Sequence, residues 1–305
     1  MISPILYNKP PQTLEKLADL LLNRGLQGIS REELVAILSR IGYYRLRGYT
    51  YPYQDNSLEE SPFLYDACWM NIQNDYIFDS KLRNLVVEAL GFIEIAARSQ
   101  LAYQLSIVYG SRWYENQSLC HDEKIFNENL VELRKHWCRS REVFKQHYES
   151  KYDATQAPPA WMIFETTTFG TVSKIFSNLN NNVRPKAEIA KFFGFNKSSI
   201  KVLTSWFQHL NLVRNICAHY SRLFTRSFIV RPMIPSNKPK KWVESIPSQD
   251  RVYFSICIII TLLDVCAPDY DFRSKLKLIM EMVRPEQLPS LGFPADWREQ
   301  RLFQC

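Results

Sequence analysis

Apolar residues recur along this chain at intervals of three and four, the period of a helix packed on one face. Leu14, Leu17, Leu20 and Leu21 follow that spacing from Thr13 until Gly25 and Gly28 end the run. Ser30 and Glu33 then form a capping-box pattern at the head of SREELVAILSRIG, with Gly42 as its terminator. Longer helical patterns are predicted over 63–74, 79–109 and 122–152. In the second of these Glu94 and Arg98 stand four apart, the spacing of an ordinary helix ion pair. The stretch 157–179 opens on a proline pair and carries a break near Gly170, which predicts a loop leading into another helix. KAEIAKFFGFNKSSIKVLTSWFQ, at 186–208, reads as helix, tight turn at Gly194, cap at Ser198 and second helix. VYFSICIIITLLDVCA, at 252–267, is shorter than the ~20 residues of a membrane span and contains Asp264, so it is predicted to be a buried helix.

Composition agrees with that reading. With 9 glycines in 305 residues, hairpins and nucleotide-cradling loops lack their raw material, and 46% hydrophobic residues is ample for a core. The expected fold is all-α. It divides into an N-terminal helical and aromatic-basic segment, 1–60, a main helical domain, 61–285, and a proline-containing closing tail, 286–305.

A net charge of +7 points to an anionic partner, nucleic acid first, because phosphate binding draws on lysine and arginine whatever the base sequence. The 7 cysteines are odd in number and scattered, without a CxxC pair, which suits a reducing compartment. Cys120, His121, His136 and Cys138 lack the paired spacing of a zinc site, so neither metal nor cofactor is expected. The opening residues carry no charged-then-apolar signal pattern, and the expected location is the cytoplasm.

Two stretches carry candidate chemistry. GYYRLRGYTYPYQ, at 42–54, interleaves Arg45 and Arg47 with five tyrosines, a mixture that can stack bases and pair phosphates, or pack as an amphipathic turn on the next helix. NLVRNICAHYSRLFTR, at 211–226, places Arg214, Asn215 and His219 within six positions of an otherwise apolar helix and follows them with Arg222 and Arg226. The preceding helix pair mimics a DNA-reading helix-turn-helix, yet its second helix offers mainly Ile200, Val202, Leu203, Trp206 and Phe207, where a reading helix needs polar side chains.

The residue types in the second stretch suit RNA cleavage by the substrate's own 2′-hydroxyl. Histidine exchanges protons near neutrality, and arginine matches a phosphate and stays charged as negative charge builds. In a straight helix Asn215 and His219 share a side, with Arg222 near the same line, whereas Arg214 and His219 diverge by roughly 140°. Either the helix bends between them or the arginine of one copy meets the histidine of another. The same groups could also grip phosphates without cutting.

RNICAHYSRLFTR resembles the R-x4-6-H signature of HEPN domains and the abortive-infection (Abi-like, AbiD/AbiF) proteins of bacterial defence. The resemblance extends to IGYYRLRGYTYPY at 41–53, PPAWMIFETTTFGTVSKIF at 158–176 and LGFPADWREQRLF at 291–303. It implies an all-helical HEPN fold and a metal-independent endoribonuclease of phage defence or toxin-antitoxin type. Arg214, Asn215 and His219 would be its catalytic set, with Arg222, Arg226, Arg45 and Arg47 the further basic residues expected to meet RNA. The resemblance also implies a homodimer with a composite cleft, and a small RNA that restrains the toxin.

Overall fold

A computed structural model describes Leu6 and residues 10–153, 155–239 and 241–304. Residues 1–5 and 7–9 of the opening stretch, which the sequence predicts to carry no export signal, lie outside this set, as does Cys305. The described residues hold 13 α-helices and no strand, and 64% of the chain is helical. The protein is therefore all-α. The helices are α1 Leu14–Asn23, α2 Arg31–Ile41, α3 Tyr43–Thr50, α4 Trp69–Tyr109, α5 Glu123–Arg139, α6 Val143–Lys151, α7 Ala160–Ile163, α8 Phe169–Asn178, α9 Arg184–Phe192, α10 Ile200–Ala218, α11 Val252–Cys266, α12 Phe272–Met280 and α13 Leu288–Leu291. The chain forms two compact units, the first 80 residues and 81–305, with α4 covalently continuous from one into the other.

In the first unit, Thr13 caps α1 by accepting from the Lys16 amide, and Ser30 and Glu33 satisfy each other's backbone amides at the head of α2. Ala18, Leu21, Leu34 and Leu38 bury the facing sides of this pair. The aromatic-basic stretch is helical, forming α3 and a short 3-10 turn, Tyr51–Tyr53. Its alternation resolves by role: Leu46 and Tyr49 are buried, and the Tyr49 and Tyr53 hydroxyls donate to the buried carboxylates of Asp79 (2.5 Å) and Asp75 (2.7 Å). Tyr44 and Arg45 face solvent, while Arg47 is half-buried beside the Tyr43 hydroxyl at 3.5 Å.

Several element boundaries differ from the sequence reading. The helix predicted over 63–74 begins only at Trp69 and runs on into the one predicted over 79–109, because nothing between Asn74 and Asp79 interrupts the helical backbone. The helix predicted over 122–152 is two, α5 and α6, since Ser140 and Glu142 take extended backbone angles. The break assigned to Gly170 lies earlier, at Thr167 and Thr168, where Thr168 caps α8 by accepting from the Thr171 amide at 3.4 Å. The cap before α10 is Asn196, whose side chain accepts from the Ser199 amide at 3.0 Å, and not Ser198.

The core of the second unit centres on α10 and α11. Twelve consecutive residues of α11, Val252 to Leu263, are buried, as the uninterrupted apolar run requires. On α10, Phe207 meets Phe169, Phe176 and Phe193 edge-on, and Trp206 stacks on Trp242 at 5.6 Å. The residues that would read DNA in a helix-turn-helix are thus spent on the core. The closing segment joins this core through Trp297, Leu302 and Phe303. Gly292, at φ +81, makes that possible: a Cβ there would stand 2.5 Å from the Arg251 Cβ.

Candidate functional site

α10 presents two faces. Leu203, Trp206, Leu210, Val213 and Cys217 point into the core, whereas Asn211, Arg214, Asn215, Ala218 and His219 remain partly or fully open to solvent. The helix stops at the motif. Ala218 is its last residue, and His219 is the C-cap at φ −87, ψ 11. The Tyr220 amide donates to the Cys217 carbonyl and the Ser221 amide to the Ile216 carbonyl, both at 2.9 Å. This pair of bonds is a Schellman termination, which normally places glycine where Tyr220 stands at φ +54.

His219 therefore sits at the exposed end of a helix whose other end is anchored in the core. Its imidazole and the Asn215 amide group make no hydrogen bond or ion pair among the described residues. Arg214 differs. Its Nε lies 3.7 Å from a Glu94 oxygen, and the Arg214 side chain keeps 37% of its surface exposed. Glu94, 12% exposed, accepts on its other oxygen from Arg98 at 2.8 Å. Arg98 also donates to the Thr167 carbonyl at 2.9 Å and stands 3.6 Å from Glu165. A chain of alternating charge thus runs from the α7–α8 connection through α4 to the motif. Two polar atoms along it, Arg98 Nε and Thr167 Oγ1, are buried without a hydrogen-bond partner, a cost of roughly 1–3 kcal/mol each that ordinary packing avoids.

One turn before Arg214, Asn211 packs on the first turn of α8, and a Cβ on Gly170 would press its Oδ1 at 3.2 Å. Gly170 accordingly sets how closely α8 approaches the motif helix.

The remaining predicted residues lie apart from this group in role. Arg222 is not on the helix line, because the helix ends four residues before it. It donates to Thr225 Oγ1 at 3.2 Å, and Arg226 donates to the Arg222 carbonyl at 3.2 Å. Both are half-buried and help shape the turn where Thr225 takes φ +53. Arg45 and Arg47 belong to the first unit and the motif to the second.

His209 is also on α10, and it is structural. Buried, with Nδ1 2.7 Å from the Val230 carbonyl and Nε2 2.7 Å from the Ser255 hydroxyl, it ties the segment after the motif to α11. This pattern assigns the proton to Nδ1, and burial pulls the imidazole down to about 4. No group of three or more His, Cys, Asp or Glu side chains among the described residues could hold a metal ion. No helix among them is long and apolar enough to cross a membrane.

The Glu94–Arg98 pair is legible in the sequence as an ion pair. Its engagement with Arg214, 120 positions away in the chain, is not, because a single sequence carries no signal for contacts between distant helices.

These features define an all-helical protein with a solvent-facing arginine, asparagine and histidine at the end of a core-anchored helix. The chain belongs to the Abi-like protein family, whose model matches residues 36–225. That span includes the motif helix, α4 and the α7–α8 connection, and the membership points to a role in abortive infection, the defence of bacteria against phage. No curated protein and no solved structure matches the chain.

Proposed function

We propose that this protein is a metal-independent endoribonuclease of HEPN type, acting in phage defence or as a toxin, with Arg214, Asn215 and His219 as its catalytic set. The observation that carries the reading is the contrast within one helix end. Arg214 is held by a carboxylate that is itself held, while Asn215 and His219 are exposed and unspent. A structural role would spend all three.

In this mechanism the ribose 2′-oxygen attacks the adjacent phosphorus as its proton passes to a base, and the bond from phosphorus to the 5′-oxygen breaks as that oxygen receives a proton. The products are a 2′,3′-cyclic phosphate and a 5′-hydroxyl. His219 is the proton-transfer group, because of the three side chains only the imidazole both takes up and releases a proton in such chemistry. Arg214 balances the charge that grows on the phosphoryl oxygens, with a fork suited to two of them. Asn215 donates to a phosphate oxygen or orients the imidazole. No step calls for a metal, since the nucleophile is the substrate's own hydroxyl.

A single imidazole cannot accept one proton and deliver another in the same step. We therefore propose a homodimer in which the ends of two α10 helices share one cleft, each supplying a histidine and an arginine. Arg222, Arg226, Arg45 and Arg47 are proposed to meet the RNA backbone outside the cleft.

The deciding experiment incubates the purified protein with end-labelled RNA and determines the product termini. A 2′,3′-cyclic phosphate and a 5′-hydroxyl, lost in His219→Ala, support the reading. Retention of RNA without cleavage by the wild type refutes it in favour of a binding protein.

A further inference from the structure

The exposed stripe of α10 that ends at His219 continues to the helix's other end. At 100° per residue, Lys201, Gln208, Asn215 and His219 fall within about 40° of one another around the axis, and Thr204 and Ser205 flank them. Lys201, Gln208, Asn215 and His219 are all exposed. Around the first half of this stripe lies a groove of about 480 Å³, within the ~300–1,000 Å³ range of ligand sites. Lys201, Thr204, Ser205 and Gln208 of α10 line it together with His121, Ser177, Asn180, Asn181, Lys186 and Met233, and the Gln208 side chain donates to Ser177 Oγ at 3.2 Å. No aspartate or glutamate lines it, whereas a neighbouring groove on α5 carries Asp122, Glu123, Glu128 and Glu132.

Lys186 is the unusual member. It is 2% exposed, and its ammonium donates to the Leu179 carbonyl (2.5 Å), the Asn181 side-chain oxygen (3.1 Å) and the Ser177 carbonyl (3.4 Å). All three acceptors are neutral. A cation is buried here without a counter-ion, and burial pulls it down to about 8. Lys201, which lines the same groove, is exposed and makes no hydrogen bond or ion pair among the described residues. An unneutralised buried cation and a free exposed one, in an acid-free groove, are complementary to a phosphodiester.

Resting on the ribonuclease reading above, we propose that this groove holds backbone phosphates of the same RNA strand that is cut at His219, so that the strand runs along α10. Lys201 and His219 are 18 residues apart, an axial distance of about 27 Å at 1.5 Å per residue. The groove thus lies several nucleotides from the scissile phosphate, beyond the reach of a dinucleotide. Substrate length is the property it should govern.

The test compares Lys201→Gln with the wild type on a 12-nucleotide single-stranded RNA and on a dinucleotide with a cleavable bond. Each phosphate contact contributes about 0.7 to the slope of log affinity against log salt, hence roughly five-fold in affinity at 0.1 M salt. The expected result is a fall of about five-fold in kcat/KM on the 12-mer, with a salt slope smaller by about 0.7, and no change on the dinucleotide. An equal effect on both substrates, or none on either, overturns the groove while leaving the ribonuclease reading standing. Failure of the wild type to cut any RNA overturns the ribonuclease reading instead.

A second measurement does not depend on cleavage. In the His219→Ala protein, with lysine side chains followed by NMR, the 12-mer should raise the titration midpoint of Lys186, since an anion stabilises its charged form. No shift, or a full shift with inorganic phosphate and none with RNA, overturns the strand path. Lys186→Met repeats the 12-mer comparison where that variant folds, and Lys201→Gln, on an exposed position, decides the matter where it does not.

Discussion

Replacing Glu94 by glutamine keeps the side chain's shape and removes the one negative charge shared by two guanidiniums. Arg98 lies 2.8 Å from it and Arg214 3.7 Å. At the effective dielectric of a protein surface, ~20, two unit charges near 4 Å attract by about 4 kcal/mol. Most of that is offset. Arg214 is 37% exposed and regains hydration when released, and Arg98 keeps the Thr167 carbonyl and Glu165. A net loss of roughly 1–2 kcal/mol in stability is expected, between the value of an exposed pair and the ~3–5 kcal/mol of breaking a fully buried one.

The larger effect should fall on catalysis. Arg214 would then be free to swing, and misplacing a transition-state group by about 1 Å costs on the order of 10²-fold in rate. The prediction is a drop of about ten- to a hundred-fold in kcat with little change in KM, because a ground-state phosphate still finds the arginine while the transition state loses its aim. Single-turnover cleavage with saturating protein, alongside urea unfolding of the same preparation, separates the two losses. Combining Glu94→Gln with Arg214→Lys, which keeps the charge and a measurable rate, should cost much less than the sum of the two single losses. Fully additive rate losses, or a wild-type kcat in Glu94→Gln, would falsify the claim that Glu94 acts by positioning Arg214.

Arg214→Ala and His219→Ala should each abolish cleavage, His219→Ala unfolding at the wild-type urea concentration and Arg214→Ala slightly below it as Glu94 loses one of its two partners, and mixing the two inactive chains should restore part of the activity if the cleft is shared; inert mixtures argue for a cleft built by one chain. Cleavage should survive excess EDTA and fail on RNA carrying 2′-deoxyribose at the scissile position, so a chelator-sensitive enzyme or a cut deoxy substrate rules the mechanism out. His209 is neutral when folded, with a midpoint of about 4 against ~6.5 when unfolded, so its share of stability, about 3 kcal/mol, is fully present above pH ~6.5 and is lost as pH falls toward 4. Urea midpoints at pH 7.5 and 5 should reveal this, and His209→Gln should flatten that interval. Tyr220→Gly relieves a left-handed backbone that costs a tyrosine about 1 kcal/mol, so stability should rise by that amount, and an unchanged or lower melting temperature contradicts the strain.

What the sequence discloses here depends on how local the cause is. The capping box at Ser30 and Glu33 and the fully apolar α11 each follow from residues within a few positions of one another. Helix boundaries were less legible where no glycine or proline marks them. Ser140 and Glu142 interrupt a pattern that reads as continuous, whereas Asn74 to Asp79 passes for a gap and is helix. Gly170 misled for a related reason. It resembles a helix breaker, but its lack of a Cβ serves the approach of Asn211 from α10, a fact of packing. Within the candidate site, Arg214, Asn215 and His219 stand out because their types suit the proposed chemistry and their pattern resembles the family motif. Glu94 is not readable as a member, since its Arg98 partner already accounts for it.

The end of α10 shows how a local rule can be broken to a purpose. Nothing between Arg214 and Arg226 is a glycine or proline, so helical spacing alone carries α10 through Arg222. The helix stops instead at Ala218, with both bonds of a Schellman termination formed around a tyrosine. That stop leaves the geometric problem posed by the motif in place. The position of His219 is still set by the helical residues before it, so the roughly 140° between Arg214 and His219 persists and favours a second copy over a bend within the motif. His219 is the last residue before the chain turns away, at angles outside the regular helix, and its side chain is carried by a cap instead of by a turn buttressed on both sides. The Arg214 guanidinium, by contrast, is fixed by an α4 carboxylate. In the proposed mechanism the arginine is thereby held for charge, while each histidine of the pair keeps the freedom to align with the one oxygen it serves. A tyrosine kept at a glycine position immediately after the histidine is the strained residue such a division of labour leaves behind.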